Sequence, residues 1–275
     1  MTSTLPPVAL TDAEATAIAA VELARHADRP RALRVIESAF DEWIELRGDR
    51  LFGDDPAVVG GTARIGERWV VIVAQEKGVD ALTRAHRNFG MPHPEGYRKA
   101  MRLMRMADRF GLPLVCLVDT PAAHPGVGAE ERGQAHAIAE SLRVMLALRV
   151  PTVSAILSEG GSGGALALAV ADRVLAFENA VYAVAPPETV AAILYRDAAQ
   201  RARAAAAQRP TVRTAADVGI VDELIPEPPP GAHAHPAIVI AALRGALVRT
   251  LAELEAMDPD ERLARRTERV RSAGD

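Results

Sequence analysis

The chain holds one cysteine in 275 residues, two lysines (Lys77 and Lys99) among 32 basic residues, and only 4% aromatics. Each scarcity closes a class of function. A single thiol rules out an intrachain disulfide framework and a cysteine zinc cage. Cys116 also sits in the apolar run Leu114–Val118, where a buried strand is expected and not the electropositive surface that a reactive thiolate needs. Few aromatics argue against a base-stacking surface, and a net charge of −4 argues against phosphate-backbone binding. With lysine so rare, positive charge falls to arginine, most of it expected on the solvated surface. The best candidate for a membrane span, Pro151 to Ala171, is interrupted by Glu159 and by glycines. Met1 to Leu10 shows no cationic cluster ahead of an apolar stretch, so a cytoplasmic protein is expected.

What is present reads as one α/β domain with helical ends. Thr11 is placed to cap a first helix, Pro30 separates it from a second, and Leu33, Ile36, Phe40, Trp43 and Ile44 recur at helical spacing over the second. Short apolar runs at Trp69–Ala74, Leu112–Val118, Val150–Leu157, Arg173–Phe177 and Val181–Ala185 lack alternation, as strands covered on both faces do. Between them, Gly96–Phe110 carries a stripe of Ala100, Leu103, Met104, Ala107 and Phe110, with Gly111 as its C-terminal cap. Glu131–Arg149 carries a second stripe, Ala135, Ile138, Ala139, Leu142 and Leu146. Strand, helix, strand at this spacing implies parallel strands with right-handed crossovers. Beyond Pro186, helices are expected over Glu188–Gln208, Thr214–Val218, Pro236–Ala256 and from Asp258 onward.

Three stretches carry chemistry. Ser158 to Ala165 places four glycines (Gly160, Gly161, Gly163, Gly164) between a strand and a helix. Glycine lets backbone approach a ligand, and a helix N-terminus offers free N–H groups and positive potential, so this turn is suited to an oxyanion. It lacks the Gly-Lys-Ser/Thr ending of a phosphate loop, and it fits a serine nucleophile elbow only through glycine saturation. The second stretch, Asp119 to Gly126, also follows a strand, and loops at the same end of parallel strands line one crevice. His124 lies there as an acid–base candidate set against a simple wall residue. The third, Asn88 to Lys99, leads into a helix whose start is cationic, which works against the helix dipole and hints at an anion nearby. His233 and His235 are a poor metal pair, with no third ligand close in sequence.

Taken together these stretches resemble the carboxyltransferase α-subunit family of bacterial acetyl-CoA carboxylases, from about Leu33 to Arg266. The resemblance rests on Glu45–Asp55 (Glu-Leu-Arg-Gly-Asp-Arg-Leu-Phe-Gly-Asp-Asp), Arg87–Pro92, Pro94–Ala100, Glu130–Gln134, Glu159–Leu168 and Val221–Pro228. It implies a crotonase-like superhelix of ββα units over 49–230, with an N-terminal helical extension over 1–48 and C-terminal helices over 231–275. It also implies half an enzyme: a β subunit of similar fold with its own zinc ribbon supplies the acyl-CoA side, likewise implying no metal in this chain, and a carrier protein brings carboxybiotin. By similarity, backbone N–H groups near Gly163, Gly164 and Ala165 cover the biotin oxygen, while Gly160, Gly161 and the loop Ala123, His124, Pro125, Gly126 line the biotin site. Biotin itself then serves as base, and acetyl-CoA becomes malonyl-CoA.

The sequence departs from the family pattern in two loops. Ala122 and His124 stand where the family has Gly and Tyr after Asp-Thr-Pro, and Ala185–Thr189 replaces Ile-Ser-Pro-Glu-Gly. Three alternatives therefore stay open: a paralogue serving another acyl-CoA, a free-standing hydratase or decarboxylase using Glu131 or Glu159, and a non-catalytic scaffold subunit.

Overall fold

The computed structural model describes residues 10–272. Two helices open it, α1 (Asp12–Ala24) and α2 (Ala32–Ala39), followed by β1 (Glu42–Glu45), β2 (Val58–Ile65) and β3 (Arg68–Gln75). Next come α3 (Ala81–His86), α4 (Pro94–Phe110), β4 (Leu114–Thr120), α5 (Val127–Glu131) and α6 (Gln134–Ala147). The centre is β5 (Thr152–Gly161), α7 (Ser162–Ala169), β6 (Arg173–Phe177) and β7 (Val181–Ala183). The remainder is α8 (Pro187–Tyr195), α9 (Arg201–Gln208), α10 (Val212–Asp217), β8 (Glu223–Ile225), α11 (Pro236–Glu255) and α12 (Pro259–Ser272).

One sheet runs in the order β1-β2-β3-β4-β5-β6-β8, and β7 pairs with the far end of β5. From β3 onward all pairings are parallel, as the continuous apolar runs require, and every residue of β4 and β5 is buried. β1 and β2 add an antiparallel edge that the apolar pattern does not announce. β2 carries Gly60 and Gly61, which weaken a strand signature; a side chain at Gly61 would meet the Ile44 carbonyl oxygen at 1.9 Å.

Several helices follow their sequence signals closely. Thr11 and Glu14 form a reciprocal capping box, and Gly111 closes α4 in the left-handed conformation. Others do not. Trp43 and Ile44 leave the helical stripe for β1, because α2 ends at Ala39 and Phe40 is extended. Glu188–Gln208 is two helices: Arg196 turns left-handed at φ 56°, and the Asp197 side chain caps the short 3-10 turn that follows. Phe110 is exposed, outside the buried stripe of α4. On α6 the side toward the core is Ala137, Ser141, Val144 and Met145. Leu142 and Leu146 instead line an open apolar groove of about 380 Å³ with Leu166, Ile220 and Val270. No helix among the described residues is long and apolar enough to cross a membrane.

Arginine is less of a surface residue than its number suggests. Arg266 of α12 is 2% exposed; it forks onto both oxygens of Asp172 at 2.8 Å and also donates to the carbonyls of Met145, Leu148 and Val150. Asp172 in turn accepts from the N–H and hydroxyl of Thr152 at the start of β5. Breaking a buried pair strands its partner charge, at about 3–5 kcal/mol. Arg266→Ala is therefore expected to lower the thermal midpoint by about 10 °C, read by calorimetry or circular dichroism.

Candidate functional site

β4 and β5 lie side by side in parallel, with a slip in register between Val118 and Thr120, so the loop after β4 and the turn after β5 emerge together. Their backbones touch. A side chain at Gly161 would stand 1.8 Å from the Pro121 carbonyl oxygen, and one at Gly164 would stand 2.5 Å from the Ala123 nitrogen. Gly160 is closed off by the Tyr182 ring at 2.5 Å. Gly163 differs: a side chain there would meet only Ile138, at an ordinary 3.5 Å. Gly161 and Gly164 thus let the two loops pack, Gly160 makes room for Tyr182 of β7, and Gly163 alone has room for a side chain.

β5 runs into α7 without a linker. Gly161 is the N-cap and the exposed Ser162 takes a left-handed φ of 58°. In such a helix the N–H groups of Ser162, Gly163 and Gly164 have no internal acceptor, whereas Ala165 is the first residue whose N–H does. Of the expected donors Gly163, Gly164 and Ala165, the last is therefore spent inside the helix, and it is fully buried. A further donor comes from the facing loop: the Ala123 N–H has no acceptor among the described residues, while its neighbours bond to Thr120 Oγ1 and the Pro92 carbonyl. Ser162 and Gly163 open onto a cavity of about 350 Å³ walled by Leu166, Tyr182, Ala183, Val184 and Ile220. That cavity shares Leu166, Tyr182 and Ile220 with the apolar groove beside α6.

The rest of the loop after β4 is braced locally. His124 stacks on His93 with ring centroids 4.0 Å apart, and its Nδ1 accepts the Gly126 N–H at 3.1 Å. Burial pushes both imidazoles below their ordinary value, and the positive Arg132 nearby adds to this. His124 with Gly126 thus forms a closed turn, and Pro125 is exposed at its tip. The cationic start of α4 serves internal pairs: Arg98 binds Asp49 and Glu95, and buried Lys99 holds Asp54. His233 stacks on His26, His235 lies 3.1 Å from the Pro229 carbonyl, and no metal-binding group of three forms among the described residues.

Under the turn lies a charged cluster. Glu159 receives Lys77 at 2.9 Å and Arg25 at 2.6 Å; Lys77 also reaches Asp119, Arg31 pairs with Asp119, and Arg25 reaches Glu188 at the start of α8. Burial alone would raise the Glu159 carboxyl, but Lys77 and Arg25 override it and hold it at about 2. A carboxylate so committed is no proton shuttle, and Glu131 is exposed at the end of α5. Neither supplies the acid or base of a free-standing hydratase. Two residues also converge here whose role no sequence pattern gives: Gln75, ending β3, and Tyr97, inside the Pro94–Ala100 block of α4, both donate to the Gly164 carbonyl, at 2.8 and 3.3 Å. They stand 89 and 67 residues from it in the chain, beyond any local signal.

This is the layout of a crotonase-type fold, with two loops meeting at the ends of adjacent parallel strands. Residues 11–274 match the family model described as acetyl co-enzyme A carboxylase carboxyltransferase-like, and the chain belongs to that family. It is 54% identical over 92% of its length to the acetyl-coenzyme A carboxylase carboxyl transferase subunit alpha of Thermus thermophilus, covering 80% of that protein. The Deinococcus radiodurans protein of the same name is also 54% identical, with the same coverage. Among solved structures, transcarboxylase 12S superposes with a TM-score of 0.69 at 24% identity over 86% of this chain; this chain spans 43% of that one, less than half. A Pseudomonas malonate decarboxylase hetero-tetramer in complex with coenzyme A gives 0.63 at 21% identity, covering 81% of this chain and 89% of its own. At such identities the likeness is one of fold.

Two outcomes are expected from this geometry. Gly161→Ala, forced onto the Pro121 carbonyl, lowers the thermal midpoint sharply, whereas Gly163→Ala stays within about 1 kcal/mol of wild type in denaturant unfolding. For Glu159, a depressed carboxyl stabilises above its unfolded value of 4.5 and stops doing so as pH falls toward about 2. The stability gap between wild type and Glu159→Gln is therefore widest near neutrality and closes across that acid window, followed by unfolding midpoints against pH.

Proposed function

We propose that this chain is the alpha-type subunit of an acetyl-CoA carboxylase carboxyltransferase, which passes a carboxyl group from carboxybiotin to acetyl-CoA and forms malonyl-CoA. The observation that carries it is the packing of Gly164 against the Ala122–Ala123 backbone. This packing sets the first turn of α7, with N–H groups that have no acceptor within the helix, beside the Ala123 N–H, which is unpaired among the described residues. The family membership and the 54% identity to proteins of that name support it. The residues fit a biotin ureido group. Gly163 leaves room at the mouth of the cavity, backbone N–H groups of the turn lie beside it, and the walls at Leu166, Val184 and Ile220 suit the apolar remainder.

When bound, carboxybiotin supplies the carboxyl group and the base that takes the substrate proton. The chain's own part is electrostatic. Gly163, Gly164 and Ala123 direct fixed N–H dipoles at the oxygen where negative charge collects, and the α7 dipole adds to them. Gly161 and Gly164 let the two loops close, Gly160 makes room for the Tyr182 ring, and His124, Pro125 and Gly126 shape the edge of the site. Glu159 acts as a counter-ion, holding Lys77 and Arg25 beneath the turn. A β-type partner of similar fold, with a zinc ribbon of its own, would cover the apolar groove beside α6 and bring the acyl-CoA. A separate biotin carrier protein would bring the cofactor, which is not attached to this chain.

The test is reconstitution. With a β-type partner, the complex is expected to move the carboxyl group of malonyl-CoA onto free biotin, and the isolated chain is not. Gly163→Val should lower turnover by about 10²-fold, the scale of a lost oxyanion donor, while assembly and melting temperature hold. An assembled complex without transfer activity would sink the proposal.

A further inference from the structure

The donor turn is gripped from behind by two side chains that belong to neither loop. Gln75 Nε2 and the Tyr97 hydroxyl both donate to the Gly164 carbonyl, at 2.8 and 3.3 Å, and both residues are fully buried. A helical carbonyl already has the N–H four residues onward as its partner, so these donors are not needed to satisfy it. What they restrict is rotation of the first turn of α7 about its own axis. A glycine-rich turn needs such a restriction more than any other, because its backbone has the most freedom to lose.

Gln75 is poorly explained as a stabiliser. It ends an otherwise apolar buried stretch, Val70 to Ala74, and its Oε1 has no partner among the described residues. An amide buried with one end unpaired costs at least as much as its single bond returns, and an apolar side chain would suit the packing better. Tyr97 shows the same pattern. Its ring sits in a small cluster with Ala137 and Ala167, and its hydroxyl points at Gly164, whose missing side chain leaves room for it. Burial raises that phenol well above its ordinary range, so it stays a proton donor at any working pH. The α-carbon of Gly164 also faces the Ala122–Ala123 backbone. Whatever fixes Gly164 therefore fixes the spacing between the Ala123 N–H and the N–H groups of the turn.

We propose that Gln75 and Tyr97 are positioning residues for carboxyl transfer, which hold the Gly164 peptide so that the two backbone donor sets stay aimed at one oxygen. This rests on the carboxyltransferase function. Preorganised donors act on the transition state more than on the bound ground state, so their misalignment appears in kcat and not in KM. In the assembled complex, with malonyl-CoA as carboxyl donor and free biotin as acceptor, Gln75→Met is expected to lower kcat about tenfold, with KM for biotin within about twofold. Tyr97→Phe, losing the longer bond, is expected to lower kcat a few-fold. Gln75→Glu adds a signature that packing alone would not give. A buried carboxyl there donates to the Gly164 carbonyl only when protonated, so its kcat should recover as pH falls from about 8 to about 6, unlike that of wild type. Assembled variants running at the wild-type kcat, or losing kcat and gaining KM in equal measure, would overturn the proposal. Tyr97→Phe decides the matter if Gln75 variants fail to fold. Wild-type transfer abolished by Gly163→Val but untouched by Gln75→Met and Tyr97→Phe defeats the positioning role alone; no transfer by wild type defeats the function itself.

Discussion

Where a side chain would stand on Gly161, the chain places the carbonyl oxygen of Pro121, and Gly164 is closed in the same way by Ala122 and Ala123. This backbone-on-backbone contact between two loops is the constraint from which the site follows. It needs β4 and β5 adjacent and parallel, with their register slipped just before Thr120, so that both loops leave the sheet at one height. It sets the distance between the Ala123 N–H and the first turn of α7. Asp119, within the slip, is anchored to Arg31 and Lys77, and Lys77 passes on to Glu159 beneath the turn. The ion cluster and the glycine contact are thus two sides of one joint.

Such a joint suits a site of fixed dipoles, since no acid–base pair stands free near the turn among the described residues. Its carboxylates near the turn are paired with arginine and lysine, and its loop histidines are stacked, with burial shifting both toward the neutral form. Charge developing on a ligand would be met by oriented N–H groups that need not titrate or move.

Much of this is legible in the sequence alone. The parallel centre of the sheet, the caps at Thr11 and Gly111 and the strand-to-helix turn at Gly160–Gly164 all carry local signals, and the motif blocks carry the family. The antiparallel edge is hidden because β2 spends glycines where its neighbours crowd in, and the stripe through Trp43 and Ile44 reads equally well as helix until α2 stops. Leu142 and Leu146 look like core by their spacing, yet they open onto the groove beside the site. Individual roles among the glycines, and the reach of Gln75 and Tyr97 to the Gly164 carbonyl, depend on partners far along the chain. No pattern within one element can express them.

The clamp of Arg266 on Asp172 bears on how the protein comes to be made. The Asp172 carboxylate is buried at the foot of β6, beside the start of β5, and its strongest counter-charge comes from 94 residues further on. While the polypeptide is still being synthesised, the central strands can pair, but that carboxylate has only the Thr152 groups to answer it until α12 has emerged. The sheet therefore cannot reach its final packing during early elongation. Its completion is tied to delivery of the α12 guanidinium groups, Arg266 foremost with Arg262 beside it, which makes the interval before α12 appears the period when this core is most exposed to misfolding.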